Sequence, residues 1–169
     1  SGTWTISGDS NGGTILTNSG TITHSGTGWD INNGGLVNSI GGTITYAGAA
    51  LTIERTFTQN GTFNLTGKTV TLDGADDADD STLTCGQAIT GNLTINKTHA
   101  TGNTTLGGNC TIAGNFTRTD GPVTNPASAY TLTVQGNFSM STTDTFGGAN
   151  MTLAMGGSSN QTITQNAGT

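Results

Sequence analysis

The sequence has very little positive charge. Only four of its 169 residues are Lys or Arg, against ten acidic residues, and the formal net charge is −6. Binding to nucleic acid depends on Lys and Arg side chains that neutralise phosphates, so composition excludes this class of function. The same deficit argues against attachment to anionic membranes, and no apolar run is long enough for a transmembrane helix. We therefore expect no nucleic-acid partner and no insertion into a membrane.

Helical patterning is also missing, and hydrophobic residues are scarce. No stretch shows the i, i+3, i+4, i+7 apolar spacing of a surface helix. Hydrophobic residues make up 31% of the chain and charged residues 8%, and this low charge argues against intrinsic disorder. Such a chain can bury only a thin apolar column. Backbone ladders and stacked side chains must therefore supply much of its stability.

A six-residue phrase recurs through the chain. Its pattern is apolar, any residue, Gly, Asn, apolar, hydroxyl. Its copies, of which the last three are clearest, begin 21 to 24 residues apart, at Ile22, Ile44, Leu65, Ile89, Ile112 and Val134. A fixed period of this length is the signature of a repeat architecture.

Short runs within each period alternate apolar and hydroxyl residues, as at 69–72 and 130–134. This alternation places the apolar side chains on one face of a strand, and the Gly and Asn between the runs suit turns. We predict an all-β parallel β-solenoid of about seven coils with a period near 22 residues. The alternative, an antiparallel β-sandwich, gives no reason for the phrase to recur at this spacing.

The repeat also predicts which side chains meet between coils. Two inward columns are expected, one of Ile89, Ile112 and Val134 and one of Leu93, Phe116 and Phe138. The Asn residues of the phrase, Asn92, Asn115 and Asn137, should stack where the chain turns. Their side-chain amides can then form hydrogen bonds from one coil to the next.

The chain is expected to form one β-solenoid domain over residues 1–169. Residues 1–72 hold less regular coils, 73–80 form an acidic loop, and 81–169 hold regular coils with a proline-containing loop at 120–126. The sequence opens within the pattern and without an initiator Met. It therefore favours a segment of a longer chain, or a subunit whose open ends meet neighbours.

The clearest repeats resemble a known class of protein. GNLTINKT at 91–98 and LGGNCTIAGNFT at 106–117 resemble the Thr/Gly/Asn-rich repeats of large microbial cell-surface proteins, and SNQTIT at 159–164 is similar to the phrase that closes a unit in them. The resemblance covers residues 82–169 well. It implies a parallel β-solenoid of the adhesin or sheath and filament type, located outside the cell or on its surface. It identifies no catalytic residue.

The loop at 73–80 is a candidate metal site. It holds five carboxylates in eight residues, at Asp73, Asp76, Asp77, Asp79 and Asp80. Calcium prefers about six to eight oxygen ligands, so this loop predicts a calcium site. It is not an EF-hand, because the alternating acids and the distal Glu are missing. The alternative is a solvated loop that keeps a neutral β-surface soluble, and no cofactor is required.

Two covalent modifications are also suggested. Cys85 and Cys110 lie 25 residues apart, about one coil, which suits a disulfide between adjacent coils or, equally, two buried thiols. Ten Asn-x-Ser/Thr sequons occur, and glycosylation in a secretory host is predicted for a few of them. The candidates are Asn60, Asn64, Asn96 and Asn103.

Binding and catalysis leave weaker signals. Repeated Thr-x-Thr units resemble the ice-binding motif of some solenoid antifreeze proteins. The unit at 69 and 71 follows its copy of the phrase, whereas the unit at 21 and 23 straddles its copy, so one continuous threonine face is not expected. Polysaccharide lyases and hydrolases on β-helices need carboxylates clustered in a groove, and here the acidic residues are local in sequence.

These observations favour a non-enzymatic extracellular structural protein. It would form a rigid segment or subunit of a surface filament, sheath or adhesin stalk. Residues 3–6 and 161–164 show neither prolines nor flanking charges, so neither end carries an evident capping repeat. The expected partner is therefore a second copy, or the continuation of a longer chain, stacked end to end. The alternative is a carbohydrate- or ice-binding module on the same solenoid, with glycans as partners.

Overall fold

The computed structural model describes residues 3–6, 10–11, 15–74, 80–99, 101–126, 128–141, 145–148 and 150–166, with only the backbone at 3–6 and 10–11. All strand pairings in these ranges are parallel. The chain forms about six turns of a solenoid with a period near 22 residues. The predicted parallel β-solenoid is therefore confirmed, and the β-sandwich alternative is not. The predicted number of about seven coils is close to the number observed.

The strands are short and follow one another closely. The first are β1 (Thr3–Ile6), β2 (Ser10–Asn11), β3 (Ile15–Asn18), β4 (Thr21–His24), β5 (Gly28–Asn32), β6 (Gly35–Asn38), β7 (Thr43–Tyr46), β8 (Ala50–Ile53), β9 (Phe57–Gln59) and β10 (Thr62–Phe63). They are followed by β11 (Thr69–Gly74), β12 (Ser81–Cys85), β13 (Asn92–Lys97), β14 (Thr104–Leu106), β15 (Cys110–Ile112) and β16 (Phe116–Asp120). The last are β17 (Val123–Thr124), β18 (Tyr130–Val134), β19 (Phe138–Met140), β20 (Met151–Met155) and β21 (Ile163–Gln165).

The coil has three sides. One is an eight-stranded sheet, ordered β2-β5-β8-β11-β13-β16-β19-β21, and the second is a six-stranded sheet, ordered β17-β14-β12-β9-β6-β3. The third side holds a four-stranded sheet, β1-β4-β7-β10, in the first coils and a three-stranded sheet, β15-β18-β20, in the last. The chain visits the three sides in a fixed rotation, so each strand pairs with its counterpart one turn away.

The alternation of residue types sets which side chains enter the core. In β13, Leu93, Ile95 and Lys97 are buried, whereas the residues between them are partly exposed. Both predicted inward columns are confirmed. Ile89 bridges Ile112, which pairs with Val134, and Leu93 pairs with Phe116, which pairs with Phe138. All six are at most 1% exposed.

Candidate functional site

The outward side of the eight-stranded sheet carries a continuous column of hydroxyl groups. Six residues occupy matching positions on successive strands, at Thr52, Thr71, Thr94, Thr117, Ser139 and Thr164. Neighbouring strands lie about 4.8 Å apart, so the hydroxyls repeat at that spacing along the solenoid axis. Three of the Thr-x-Thr units, at 3/5, 21/23 and 43/45, pair in register on the four-stranded sheet, contrary to the expectation that the units share no register. The units at 69/71 and 131/133 lie in β11 and β18 on two other sheets, so the five units do not form one continuous face. The signal that was missed is the last position of the repeated phrase, which supplies Thr94, Thr117 and Ser139.

A second outward column consists of the predicted asparagines. The backbone N–H of Asn115 donates to Oδ1 of Asn92 at 2.9 Å, and that of Asn137 donates to Oδ1 of Asn115 at 2.8 Å. The N–H of Thr162 continues the series with a 3.0 Å bond to Oδ1 of Asn137. The predicted hydrogen bonding from coil to coil is confirmed. Each bond has a backbone donor and a side-chain acceptor, so every asparagine ties down the turn of the following coil.

The first coils contain an amide ladder inside the core, which the sequence did not reveal. Nδ2 of Asn18 donates to Oδ1 of Asn38 at 2.9 Å, and Nδ2 of Asn38 donates to Oε1 of Gln59 at 3.3 Å. These three side chains are at most 4% exposed. Buried amides without partners are costly, and this ladder supplies those partners from one coil to the next. In the strand register, Gln59 pairs with Cys85 of the next coil.

A disulfide joins Cys85 and Cys110, whose Cα atoms are 4.8 Å apart. It lies where the third side of the coil changes from the four-stranded to the three-stranded sheet. Between these sheets, the described residues pair on this side through a single bridge from Ile89 to Ile112. A cleft of about 240 Å³ opens here, lined by Thr62, Phe63, Asn64, Gln87, Ala88 and Thr90 among others. The covalent bond and the Ile89–Ile112 bridge join the same two coils, next to the place where the strand pairing of this side is interrupted after β10.

Two of the four basic residues are buried where the chain turns from the eight-stranded to the six-stranded sheet. Lys97 is fully buried, and its Nζ donates to the carbonyl oxygens of Glu54 and Asp73. Arg118 is 1% exposed, and its Nη1 donates to the carbonyl oxygens of Gly121 and Thr145. Burial of a cation costs free energy unless it is hydrogen-bonded, and the turn carbonyls satisfy that need. These cations stabilise turns from inside and do not form a surface for acidic partners.

Glycine is required at position 121, beside Lys97. Its backbone has a φ of 80°, in the left-handed region. A Cβ at this position would also collide with the Cβ of Lys97. Glycine alone meets both demands, because it tolerates positive φ and has no side chain.

An aromatic group fills the core of the first coils. The rings of His24 and Trp29 stack with centroids 5.0 Å apart, and Tyr46 lies 5.1 Å from His24. The hydroxyl of Tyr46 donates to the carbonyl oxygen of Ala50. Burial raises the pKa of Tyr46 above its usual value, and a backbone hydrogen bond from Trp29 opposes this rise. Nζ of Lys68 lies 5.4 Å from the centre of the Tyr46 ring.

The calcium prediction falls mainly on the part of the chain that is not described. Asp76, Asp77 and Asp79 lie outside the described residues. Oδ1 of Asp73 accepts from the N–H of Gly74 and from Nδ2 of Asn96, and Oδ1 of Asp80 accepts from the N–H of Asn103. Within the described ranges, no three His, Cys, Asp or Glu side chains are grouped to hold a metal ion. The calcium site stays a prediction.

The four candidate glycosylation sites differ in accessibility. Asn64 is exposed, whereas Asn60, Asn96 and Asn103 are partly buried. Nδ2 of Asn96 donates to Asp73, and Nδ2 of Asn103 donates to Oγ1 of Thr105. A glycan is attached through this nitrogen, so Asn64 is the best placed of the four.

The core is open at the end of the solenoid formed by the last coil. We call the C-terminal end surface the set of apolar side chains there that are only partly buried or exposed: Met140, Phe146, Met151, Leu153, Met155 and Ile163. The outermost strands at this end are β20 and β21, and on the six-stranded side β17. At the opposite end the outermost strands are β1, β2 and β3, and Ile15 in β3 is 54% exposed.

Comparison of the chain with protein-family models, with curated proteins and with solved structures gives no match. In the described part of the chain, no helix is long and apolar enough to span a membrane. The function is therefore inferred from the geometry of the chain itself.

Proposed function

We propose that this chain is a non-enzymatic structural protein outside the cell or on its surface. It would be a rigid segment or subunit of a filament, sheath or adhesin stalk that extends by end-to-end β-stacking. The observation that supports this most directly is the eight-stranded sheet. Its strands continue in parallel register from β2 to β21, and each terminal strand leaves one edge for a further strand.

The extracellular location has two supports. The first is the resemblance of residues 82–169 to repeats of microbial surface proteins. The second is the disulfide between Cys85 and Cys110, because such bonds persist in oxidising compartments. In that setting the acidic loop at 73–80 would meet calcium, and the sequon at Asn64 would be open to glycosylation. Both of these stay proposals.

Electron microscopy and light scattering of the purified 169-residue chain test the assembly. Rods should lengthen with protein concentration while their width stays that of one solenoid. Chelation of calcium during the same measurement shows whether the acidic loop contributes. A single species of monomer mass at high concentration would overturn the proposal.

The alternative function, a carbohydrate- or ice-binding module, is supported by the hydroxyl column. Its regular, uncharged hydroxyls suit a partner that is itself regular and rich in hydroxyl groups or water. A glycan screen and a thermal-hysteresis measurement test it, with Thr94→Lys in the column and Thr105→Lys on the six-stranded sheet as a matched control. Activity that Thr94→Lys abolishes and Thr105→Lys retains would establish this function in place of the structural one.

A further inference from the structure

We propose that the stacking is head-to-tail between two copies of this chain, through the C-terminal end surface. In this arrangement β20 of one copy pairs with β1 of the next, and β21 pairs with β2. The inference rests on the proposed function, and it adds the direction, the register and the residues of the contact.

At the C-terminal end surface, the apolar interior of the solenoid reaches solvent. Leu153 pairs with Leu132 and Met155 pairs with Val134, and both of these partners are fully buried. Ile163 is 61% exposed, although it pairs with Phe138, which is 1% exposed. Residues at the same inward positions are thus fully buried in one coil and partly buried or exposed in the next. The difference is that no described strand follows the last coil.

The end regions carry almost no charge. Eleven of the fourteen charged residues fall within residues 54–120, and the three outside are Asp9, Asp30 and Asp144. Edge strands that avoid association commonly carry lysines or prolines, and none is present in β1, β2, β20 or β21. Two ends with so few charges can therefore meet with little repulsion between like charges.

The topology selects the partner and its direction. The strands at the opposite end, β1 and β2, belong to the same two sides of the coil as β20 and β21. A second copy placed head-to-tail therefore continues the same parallel pairing on these two sides, whereas two identical ends facing each other would reverse the strand direction on every side. A contact between two different ends does not close on itself, so it produces an open filament.

The register of this contact follows from the columns of the eight-stranded sheet. Ser10 pairs with Ile31 at the start of one inward column, and Gln165 pairs with Met140 at its end. Continuation of that column places Gln165 of one copy opposite Ser10 of the next. Asn166 then lies opposite Asn11, one position further along each strand.

Cysteine trapping tests this register. Oxidation of the double variant Asn11→Cys with Asn166→Cys should give a ladder of disulfide-linked dimers, trimers and longer species, with the native disulfide kept intact. Each single variant should form no disulfide-linked species. A mixture of the two single variants should give disulfide-linked dimers and nothing longer. Self-linking of either single variant would show two identical ends in contact and would overturn the inference.

Failure of the inference and failure of the proposed function give different results. Filaments in electron microscopy without any linkage of the double variant would retain the proposed function and overturn this contact. Absence of both filaments and linkage would overturn the two together.

A second experiment tests the end surface with two exposed isoleucines. Ile163→Lys places a charge on the open core, whereas Ile40→Lys is the matched control, because Ile40 is 86% exposed in the turn between β6 and β7. Ile163→Lys should raise the concentration needed for assembly by at least about tenfold, and Ile40→Lys should leave it unchanged. Equal effects of the two variants would overturn the contact. Circular dichroism of both monomers should match that of the parent chain.

Discussion

The first and last coils of this solenoid keep amide ladders on opposite sides of the chain. In residues 15–65, Asn18, Asn38 and Gln59 bond inside the core. In residues 89–166, Asn92 and its successors bond on the outside, while phenylalanines fill the interior. The two regions share a period and a backbone pairing. The solenoid therefore requires bonding from coil to coil but does not dictate which face provides it.

This difference determines how much stability each region loses when one of its amides is removed. An outward asparagine can exchange its partner for water, whereas an inward amide has no such substitute. The aromatic cores differ as well, because Phe116 and Phe138 stack with centroids 5.2 Å apart, whereas Phe57 lies in register with Leu36 and Leu83. Unfolding measurements at protein concentrations too low for assembly should therefore distinguish the stabilities of the two regions.

The largest effect is expected from Phe116→Ala. It removes a buried ring and leaves a cavity, at a cost of about 3–5 kcal/mol in the free energy of unfolding. Phe57→Ala removes an equally buried ring from the first region, and it should cost about 1 kcal/mol less because stacked rings add stabilisation. Denaturant unfolding measures both. A larger loss for Phe57→Ala would reverse this part of the comparison.

Removal of the disulfide ranks second. The bond closes a loop of 25 residues, and the chain-entropy model predicts a loss of about 3.5 kcal/mol when Cys85 and Cys110 are both changed to Ser. Because Cys85 lies between the two regions and Cys110 lies in the second, loss of the bond should also weaken the junction and let the regions unfold separately. Two transitions in place of one, seen by fluorescence and circular dichroism, would show this. Unchanged stability would mean that the ladders alone hold the junction.

The two amide ladders give the third prediction. Asn38→Ala removes the bond to Oε1 of Gln59 within the core and should cost about 2 kcal/mol. Asn115→Ala removes a bond at an exposed turn and should cost less than about 1 kcal/mol. The ratio of the two losses in denaturant unfolding is the direct test. Equal losses would refute the distinction between inward and outward ladders.

The smallest effect concerns alkaline pH. Burial raises the pKa of Tyr46 above the ordinary value of 10.0, so the folded state holds this proton more tightly than the unfolded state does. Its contribution to stability is complete below pH 10 and is lost as the pH rises through the higher folded value. Tyr46→Phe should therefore flatten the decline of stability above that pH. An unchanged decline would assign it to other groups.

The sequence predicted the last coils better than the first, for physical reasons. Where the ladder lies at an outward turn, Gly and Asn recur together, and Asn92, Asn115 and Asn137 are visible as a pattern. The inward ladder mixes Asn with Gln, and no Gly directly precedes its members in the sequence, so nothing distinguishes Asn38 from a turn residue. Burial of Lys97 was also missed, because its partners are carbonyl oxygens, which every residue carries.

The disulfide sets how this chain would respond to mechanical force. Each coil contacts mainly its two neighbours, so tension on the chain ends should peel coils away from each end in turn. The segment between Cys85 and Cys110 is closed by a covalent bond and cannot extend. Its 25 residues correspond to about 85 Å of extended chain. Single-molecule stretching should release that length only after reduction, so in oxidising surroundings the middle of the rod is its least extensible part.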